Sequence, residues 1–434
     1  MTSEDLSTRK RVPINQIRPG MYVVGLDRSW LQTPFIFHRK LIKGDDDIAI
    51  FERNGVREVI IDTAHGLDID DSCTGVGSSD AVHAAADASP MKVPDTAAVA
   101  DKSTDRVPSA VERVLQPLAI ELHAAQTIQN EALATAQKVF DGAGGGGPVK
   151  SEAAKKVVTD LMGSIARSPE ANLLLMQMRR FQKDLFSHAV NVCVLSLVVG
   201  VLEDFDVDVA GLGVGALLHD VGETRIPRNL IRKKNVLTEA ERRLREQHPK
   251  LGAVLLEQNH DLAPCARQIV CEHHERIDGS GYPLGVRAGN LSLAGQIVAI
   301  TDAYDDMLSG RNQAVLQPVE VLRQLFMQSN AGSLDRELVE RIIRCLGVYP
   351  IGSLVELNTG ERGIVVAANR TDTLKPTLRI VMSSNGLVHN SGPIVSLADS
   401  DSGTPQRHII GSLDPGKVRI DPMAFLKLAP AAVG

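Results

Sequence analysis

Between Ser151 and about Gly347 the apolar positions recur at helical spacing almost without interruption, and on either side the pattern changes to short apolar runs cut by turn residues. The central stretch, 151–347, predicts one all-α domain. Its helix-start signals include Thr238 in "TEAERRLREQH", where Glu241 completes a capping box. After Tyr349-Pro350, the runs "GSLVEL", "RGIVVAAN" and "TLRIVMS" predict a small β-rich domain over 348–434. At the other end, "MYVVGLD", "PFIFHRKLI" and "VREVIID" predict a small strand-containing domain over 1–65.

Two segments join these parts. Residues 66–107 are rich in Asp, Ser, Ala and Thr, with too few large apolar side chains to offset chain entropy, and read as a flexible linker. Residues 108–150 read as a helical connector with a stripe of Val111, Leu115, Leu118, Leu122 and Ala125 at spacings of four and three. Pro117 is expected to kink or restart it, and "DGAGGGGP" to end it. Such a stripe serves either as core or as the seam of a homodimer.

Composition narrows the function classes. The 434 residues suit roughly three domains. A hydrophobic fraction of 43% with 23% charged residues is that of a soluble globular protein, and the net charge of −6 gives no electrostatic footprint for a nucleic-acid polymer. The start, "MTSEDLSTRKRVP", lacks the apolar core of a signal peptide, and no stretch is expected to make the roughly 20-residue apolar run of a membrane span. Five cysteines, Cys73, Cys193, Cys265, Cys271 and Cys345, follow no paired spacing. That suits a reducing, cytoplasmic setting, and the lack of any CxxC excludes a zinc ribbon.

Candidate chemistry concentrates in the helical domain, where six of the twelve histidines lie between His188 and His274. Taken singly, each reads as a buried ring satisfied by a backbone carbonyl. Together they suggest more. In "VGALLHDVGETRIP" an apolar helix runs into His219-Asp220 and is stopped by Gly222, so both side chains can turn toward one ion off the helix end. A metal would offset the desolvation cost of that buried carboxylate. His248 falls at a helix terminus ahead of Pro249, and His273-His274 precede the turn "DGSGYP". Asp302 sits in the middle of an apolar helix, "GQIVAITDAYDDM", and His188 begins another, sharing a face with Asp184. Imidazoles and carboxylates without thiolates suit Mn, Fe or Zn, and the set exceeds the four positions of one tetrahedral zinc. Two metals are the natural inference, for a pair of ions about 3.5–4 Å apart activates water for in-line attack on phosphorus.

The ordered set of His188, "HD" at 219–220, His248, "HHERIDGSGYP" at 273–283 and Asp302 resembles the HD-GYP family of bacterial cyclic di-GMP phosphodiesterases, a branch of the HD metal-dependent phosphohydrolases. The resemblance covers about 170–347. The segment "MYVVGLDRSWLQTPFIF" also resembles a domain of unknown function that precedes HD-GYP domains. The resemblance implies a central helical HD-type domain that cleaves cyclic di-GMP to linear pGpG or GMP at a centre of two or three divalent transition-metal ions, Fe or Mn before Zn. It implies metal ligation by His188, His219, Asp220, His248, His273, His274 and Asp302, with Asp220 as the bridge, and by Asp184 as the acidic ligand of three-metal members. It implies substrate contacts at Tyr282 and Arg311.

Two positions depart from the family pattern. Glu223 stands where a catalytic-site Lys is expected, and Ala314 where a second phosphate-binding cation is expected. Unless Glu223 pairs with Arg225 or another cation outside the site, its charge opposes a phosphodiester, which predicts slow turnover and a faster Glu223→Lys variant. The alternative function is a weakly active or inactive protein that binds cyclic di-GMP at the same metal-loaded site and signals through partner proteins.

Overall fold

The computed structural model of the chain describes residues 9–26, 40–68 and 110–426, except for scattered positions within 43–65, 180–183, 232–235, 312–313, 390–391 and 400–406. The linker expected at 66–107 and Cys73 fall almost wholly outside the described residues. Two compact units are present.

In the first unit, β1 (Arg9–Pro13), β2 (Tyr22–Leu26), β3 (Lys40–Leu41) and β4 (Glu58–Asp62) form an antiparallel sheet in the order β1-β4-β2-β3. Strand β1 was not predicted. Its sequence, RKRVP, carries three cations in five residues, yet pairing with β4 sets Val12 opposite Val59, and both are fully buried. An edge strand can hold charges on its open face.

The second unit begins with α1 (Ala110–Gly144), a single helix of 35 residues. It runs through Pro117 rather than restarting there, and into the glycine run as far as Gly144. A proline removes one i→i−4 bond, and the good helix formers around it carry the helix past that loss. The helices α2 (Ser151–Arg167), α3 (Pro169–Met178), α4 (Leu185–Leu202) and α5 (Val209–Leu218) follow. Ala125 of α1 packs on Ala171 and Leu175 of α3, with Leu122 beside it, and buried Gln129 donates to the carbonyl and side-chain oxygens of Asn172. At Leu122 and Ala125 the stripe packs as core within this chain. The side chains of Val111, Leu115 and Leu118 lie outside the described set.

Helix α4 is buried from Ser187 to Gly200. It is long and apolar enough to cross a membrane by length and composition, contrary to the expectation that no stretch would be. Its surface is covered by α2, α3 and α5, and by α10 (Leu293–Ser309) and α12 (Arg336–Leu346), the arrangement of a core helix. Between α5 and α10 come a 3-10 turn (Val221–Arg225) and α6 (Arg228–Ile231), α7 (Glu239–Arg245), α8 (His248–Leu256) and α9 (Pro264–Glu272); α11 (Pro318–Asn330) lies between α10 and α12. Both halves of the Thr238–Glu241 capping box are formed at the start of α7.

One close approach positions the site. A Cβ on Gly222 would lie 1.9 Å from the His248 carbonyl oxygen and 2.5 Å from Gly252 N. Only glycine lets the turn after His219-Asp220 rest backbone to backbone on α8. Beyond α12, β5 (Leu354–Leu357), β6 (Arg362–Ala367), β7 (Thr377–Met382), β8 (Ile394–Ser396) and β9 (Ile409–Ser412) form an antiparallel sheet ordered β8-β7-β6-β5-β9. The fold is thus a central helical domain flanked in sequence by a small strand-containing region and a β-rich one, as expected.

Candidate metal centre

Helix ends deliver most of the candidate ligands. His219 and His273 are the C-caps of α5 and α9, His248 opens α8, and His188 lies in the first turn of α4. At each of three rings Nδ1 meets a carbonyl three residues earlier: His219 to Ala216 at 2.7 Å, His248 to Arg245 at 2.9 Å and His273 to Val270 at 2.9 Å. A carbonyl oxygen only accepts, so Nδ1 carries the proton and Nε2 is left bare in the neutral ring. His188 turns its Nδ1 to the buried carboxylate of Asp305 at 2.8 Å, and Asn191 donates to the other Asp305 oxygen at 3.0 Å.

The Nε2 atoms converge. His219 and His188 face each other at 3.2 Å, and His248 and His273 at 3.1 Å. Two lone pairs at that separation repel unless a positive charge lies between them. Burial first, helped by His219 and His248, pushes the His273 pKa down to about 4, which keeps its Nε2 bare. At His188, burial and Arg311 favour the neutral ring, but the hydrogen-bonded carboxylates of Asp302 and Asp305 outweigh them and hold the pKa well above the usual imidazole range. The site therefore demands positive charge at its centre.

Two buried carboxylates span the rings. Asp220 Oδ1 is 3.2 Å from His248 Nε2 and 3.7 Å from His273 Nε2, while its Oδ2 is 3.5 Å from His219 Nε2. Asp302 Oδ1 is 3.0 Å from His188 Nε2, and its Oδ2 is 3.5 Å from His274 Nδ1. Burial favours the neutral acids, yet neighbouring imidazoles, joined at Asp220 by Arg311, hold both carboxyls well below the usual range. The donors fall into two groups, Asp220 with His248, His273 and His274, and His188 with His219 and Asp302, each within 4.8 Å. Five imidazoles and two ionised carboxylates fit borderline divalent ions, and neither group includes a thiolate among the described residues to select a softer one.

Asp184 is not drawn into either group. It is exposed and caps α4, accepting from Ser187 N at 2.9 Å and from its hydroxyl at 2.7 Å. The short polar side chain that the sequence places one residue before the helix meets the capping need first. Glu223 does not pair with Arg225 or with a cation outside the site. Its Oε2 is 2.6 Å from Arg311 Nη2, and Arg311 Nη1 donates to Asp220 Oδ2 at 2.7 Å. Arg311, expected at the substrate, thus also clamps two site carboxylates. Ala314 is exposed.

A cavity of about 250 Å³ opens over the carboxylates, with Tyr282 and Arg311 on its wall and, unforeseen from sequence, Arg242 and Arg245 of α7. The Tyr282 ring lies against His274, centroids 4.6 Å apart, and burial raises its phenol pKa. Its loop is tied down by buried Glu275, whose carboxylate accepts from the backbone of Leu284 at 2.6 Å, Gly285 at 3.2 Å and Val286 at 2.9 Å. Sequence reasoning missed Glu275, Asp305 and Asn191. A carboxylate directly after the histidine pair, and a second one three residues beyond Asp302, were the available signals.

Residues 171–338 match the HD domain family. Residues 9–154 match the domain of unknown function DUF3391, and 354–404 a KOW domain associated with HD domains. A cyclic di-GMP phosphodiesterase of Pseudomonas aeruginosa is 30% identical over 391 residues, 89% of each chain. A cyclic di-GMP phosphodiesterase of Thermotoga maritima is 34% identical over 32% of this chain and 38% of that protein. A solved HDG"Y"P protein from Bdellovibrio bacteriovorus is 17% identical, with a TM-score of 0.43, over 77% of this chain and 98% of that one. With the full-length similarity to the first of these and the HD match over the histidine-bearing helices, the chain belongs to the family of HD-domain cyclic di-GMP phosphodiesterases.

Proposed function

We propose that this chain hydrolyses cyclic di-GMP to pGpG or GMP at a two-ion centre of the HD-GYP type, in the cytoplasm, with the domain divisions at 65, 107, 150 and 347 given above. His188, His219 and Asp302 would hold one ion, and His248, His273 and His274 the other, with Asp220, whose two oxygens face both groups, shared between them. Fe or Mn is the preferred occupant, with Zn the next.

One observation carries this reading: imidazole Nε2 atoms face each other in two pairs at 3.1–3.2 Å, flanked by two ionised carboxylates, Asp220 reaching both pairs and Asp302 reaching the His188–His219 pair and His274. Bound there, a pair of divalent ions would supply Lewis-acid polarisation of a phosphodiester and activation of water at neutral pH. The chain's own residues do the rest. Backbone carbonyls and Asp305 fix which imidazole nitrogen is presented, and Asp220 and Asp302 set the spacing of the two groups. Arg311 keeps Asp220 ionised, and Tyr282, its phenol held protonated by burial, offers an O–H donor to the ligand at the mouth of the site.

The test is turnover. Protein purified anaerobically and loaded with Mn or Fe should convert cyclic di-GMP to pGpG or GMP on a chromatogram, and Asp220→Ala should abolish conversion. Tight binding with no product in fully loaded protein would favour a sensor at the same site, and neither binding nor product would refute the reading.

A further inference from the structure

We propose that Gln129 of α1 and Arg179, the residue on which α3 ends, are positioning residues for His188, so that the seating of α1 governs how tightly the His188 group holds its ion. The inference rests on the two-ion part of the reading above and not on the identity of the substrate.

Side chains from α1, the end of α3, α4 and α10 form one relay. Arg179 Nη2 donates to Gln129 Oε1 and reaches Asn191 Oδ1 at 3.5 Å. Asn191, one turn after His188 on α4, donates its Nδ2 to Asp305 Oδ1 at 3.0 Å, and Asp305 Oδ2 takes the Nδ1 proton of His188 at 2.8 Å. Gln129, Asn191, Asp305 and His188 are all buried. Each link runs in one sense. A guanidinium only donates, so Gln129 and Asn191 must both turn their amide oxygens toward Arg179. Gln129 is held in that sense from its far side, where Nε2 donates to the carbonyl and Oδ1 of Asn172 at 3.2 and 2.9 Å. Asn172 spends its own Nδ2 on Ser164 Oγ and the Ser168 carbonyl, both at 3.0 Å, and so keeps Oδ1 as an acceptor. Asn191 is left with its N–H groups for Asp305. Reversed, its amide would set an oxygen against that carboxylate, and Asp305 would be pushed from His188.

Packing alone does not explain an arginine at this place. Its Nε is buried and meets no acceptor among the described residues, and burial lowers its pKa to about 10 against the pull of Asp305 and Asp184. A buried charge with an unpaired donor is unfavourable, and an apolar side chain of similar volume would avoid both costs. What the guanidinium adds is a fixed orientation for the two amides beside it. Helix α1, where the relay begins, is also the stretch of chain that leads from the first compact unit into the second. A shift of α1 that moved Gln129 off Arg179 would release Asn191, then Asp305, then the His188 ring.

The experiment titrates full-length, chelator-treated proteins with Mn by calorimetry and measures denaturant unfolding on the same metal-free samples. It compares wild type, Gln129→Leu, Gln129→Glu, Arg179→Met, Asp305→Ala, and Arg179→Met combined with Asp305→Ala. Gln129→Leu and Arg179→Met should each weaken one ion by about tenfold, the lower end of the effect of losing a partner that orients a ligating histidine. That ion should be the one weakened by Asp305→Ala, with the other held as in wild type. Gln129→Glu keeps an oxygen for Arg179 while giving up the bonds to Asn172, so it should retain the wild-type affinity even where it lowers stability. Once Asp305 is gone, adding Arg179→Met should change the affinity no further. A merely structural pair would lower stability, weaken both ions alike and add in full to Asp305→Ala. Unchanged affinity in Gln129→Leu and Arg179→Met, equal weakening of both ions, full additivity, or a loss in Gln129→Glu equal to that in Gln129→Leu would each overturn the inference. Wild type that holds two ions but converts no cyclic di-GMP would overturn the substrate reading alone, with the titration still deciding the role of Gln129 and Arg179. Fewer than two ions in wild type would overturn both.

Discussion

Asp305 Oδ2 lies 2.8 Å from His188 Nδ1, and both side chains are buried. The carboxylate accepts the Nδ1 proton and so presents Nε2 to the site. Removing it frees the ring to rotate or change tautomer. Asp305→Ala should therefore weaken binding at the His188 group by about 10–100-fold, the scale for losing a partner that orients a metal-ligating histidine. Titration of chelator-treated protein with Mn, followed by calorimetry, measures this, and equal affinity in variant and wild type would contradict it.

Arg311 supplies the cation for two buried carboxylates, Asp220 and Glu223. Its loss leaves both beside each other without that charge. In metal-free protein, Arg311→Ala should cost about 3 kcal/mol of unfolding free energy, the scale for breaking a buried ion pair. A divalent ion restores positive charge at Asp220, so much of the deficit should close on adding Mn. Denaturant unfolding with and without metal checks this, and a deficit that persists unchanged in the loaded protein would show that Arg311 acts by packing.

Glu275 gives its carboxylate to three consecutive backbone donors in the loop that carries Tyr282. Glu275→Ala leaves those donors without it, at a cost of about 2 kcal/mol. Tyr282 loses its fixed place over His274, so affinity for cyclic di-GMP should fall while metal content stays near that of wild type. Measuring metal by mass spectrometry and ligand by calorimetry on the same sample separates the two effects. Unchanged affinity would remove the loop from the binding surface.

The helical domain, its capping box and the histidine-aspartate doublet were legible because each depends on local chemistry: apolar spacing, a Thr three residues before a Glu, a glycine after a helix end. Asp184 lies outside both groups for the same kind of reason. Spacing puts it on the face of His188, but at the residue before a helix its carboxylate meets free backbone donors first. The clamp that Arg311 makes on two carboxylates was hidden because Arg311 meets Glu223 across 88 positions of chain. No periodicity reports such a pair. The strand at Arg9–Pro13 was hidden because its charges mask a single buried valine whose partner lies in β4.

The opposed imidazoles need cations between them, so the most direct measurement is the number of ions the chain holds. Protein freshly purified without chelators, and chelator-treated protein titrated with Mn or Fe, should each show at least two divalent ions per chain by mass spectrometry. Asp220→Ala, lacking the carboxylate that reaches both groups, should lose most of that metal and all turnover. One ion or none in wild type under both conditions would contradict the two-ion centre, and with it the proposed chemistry.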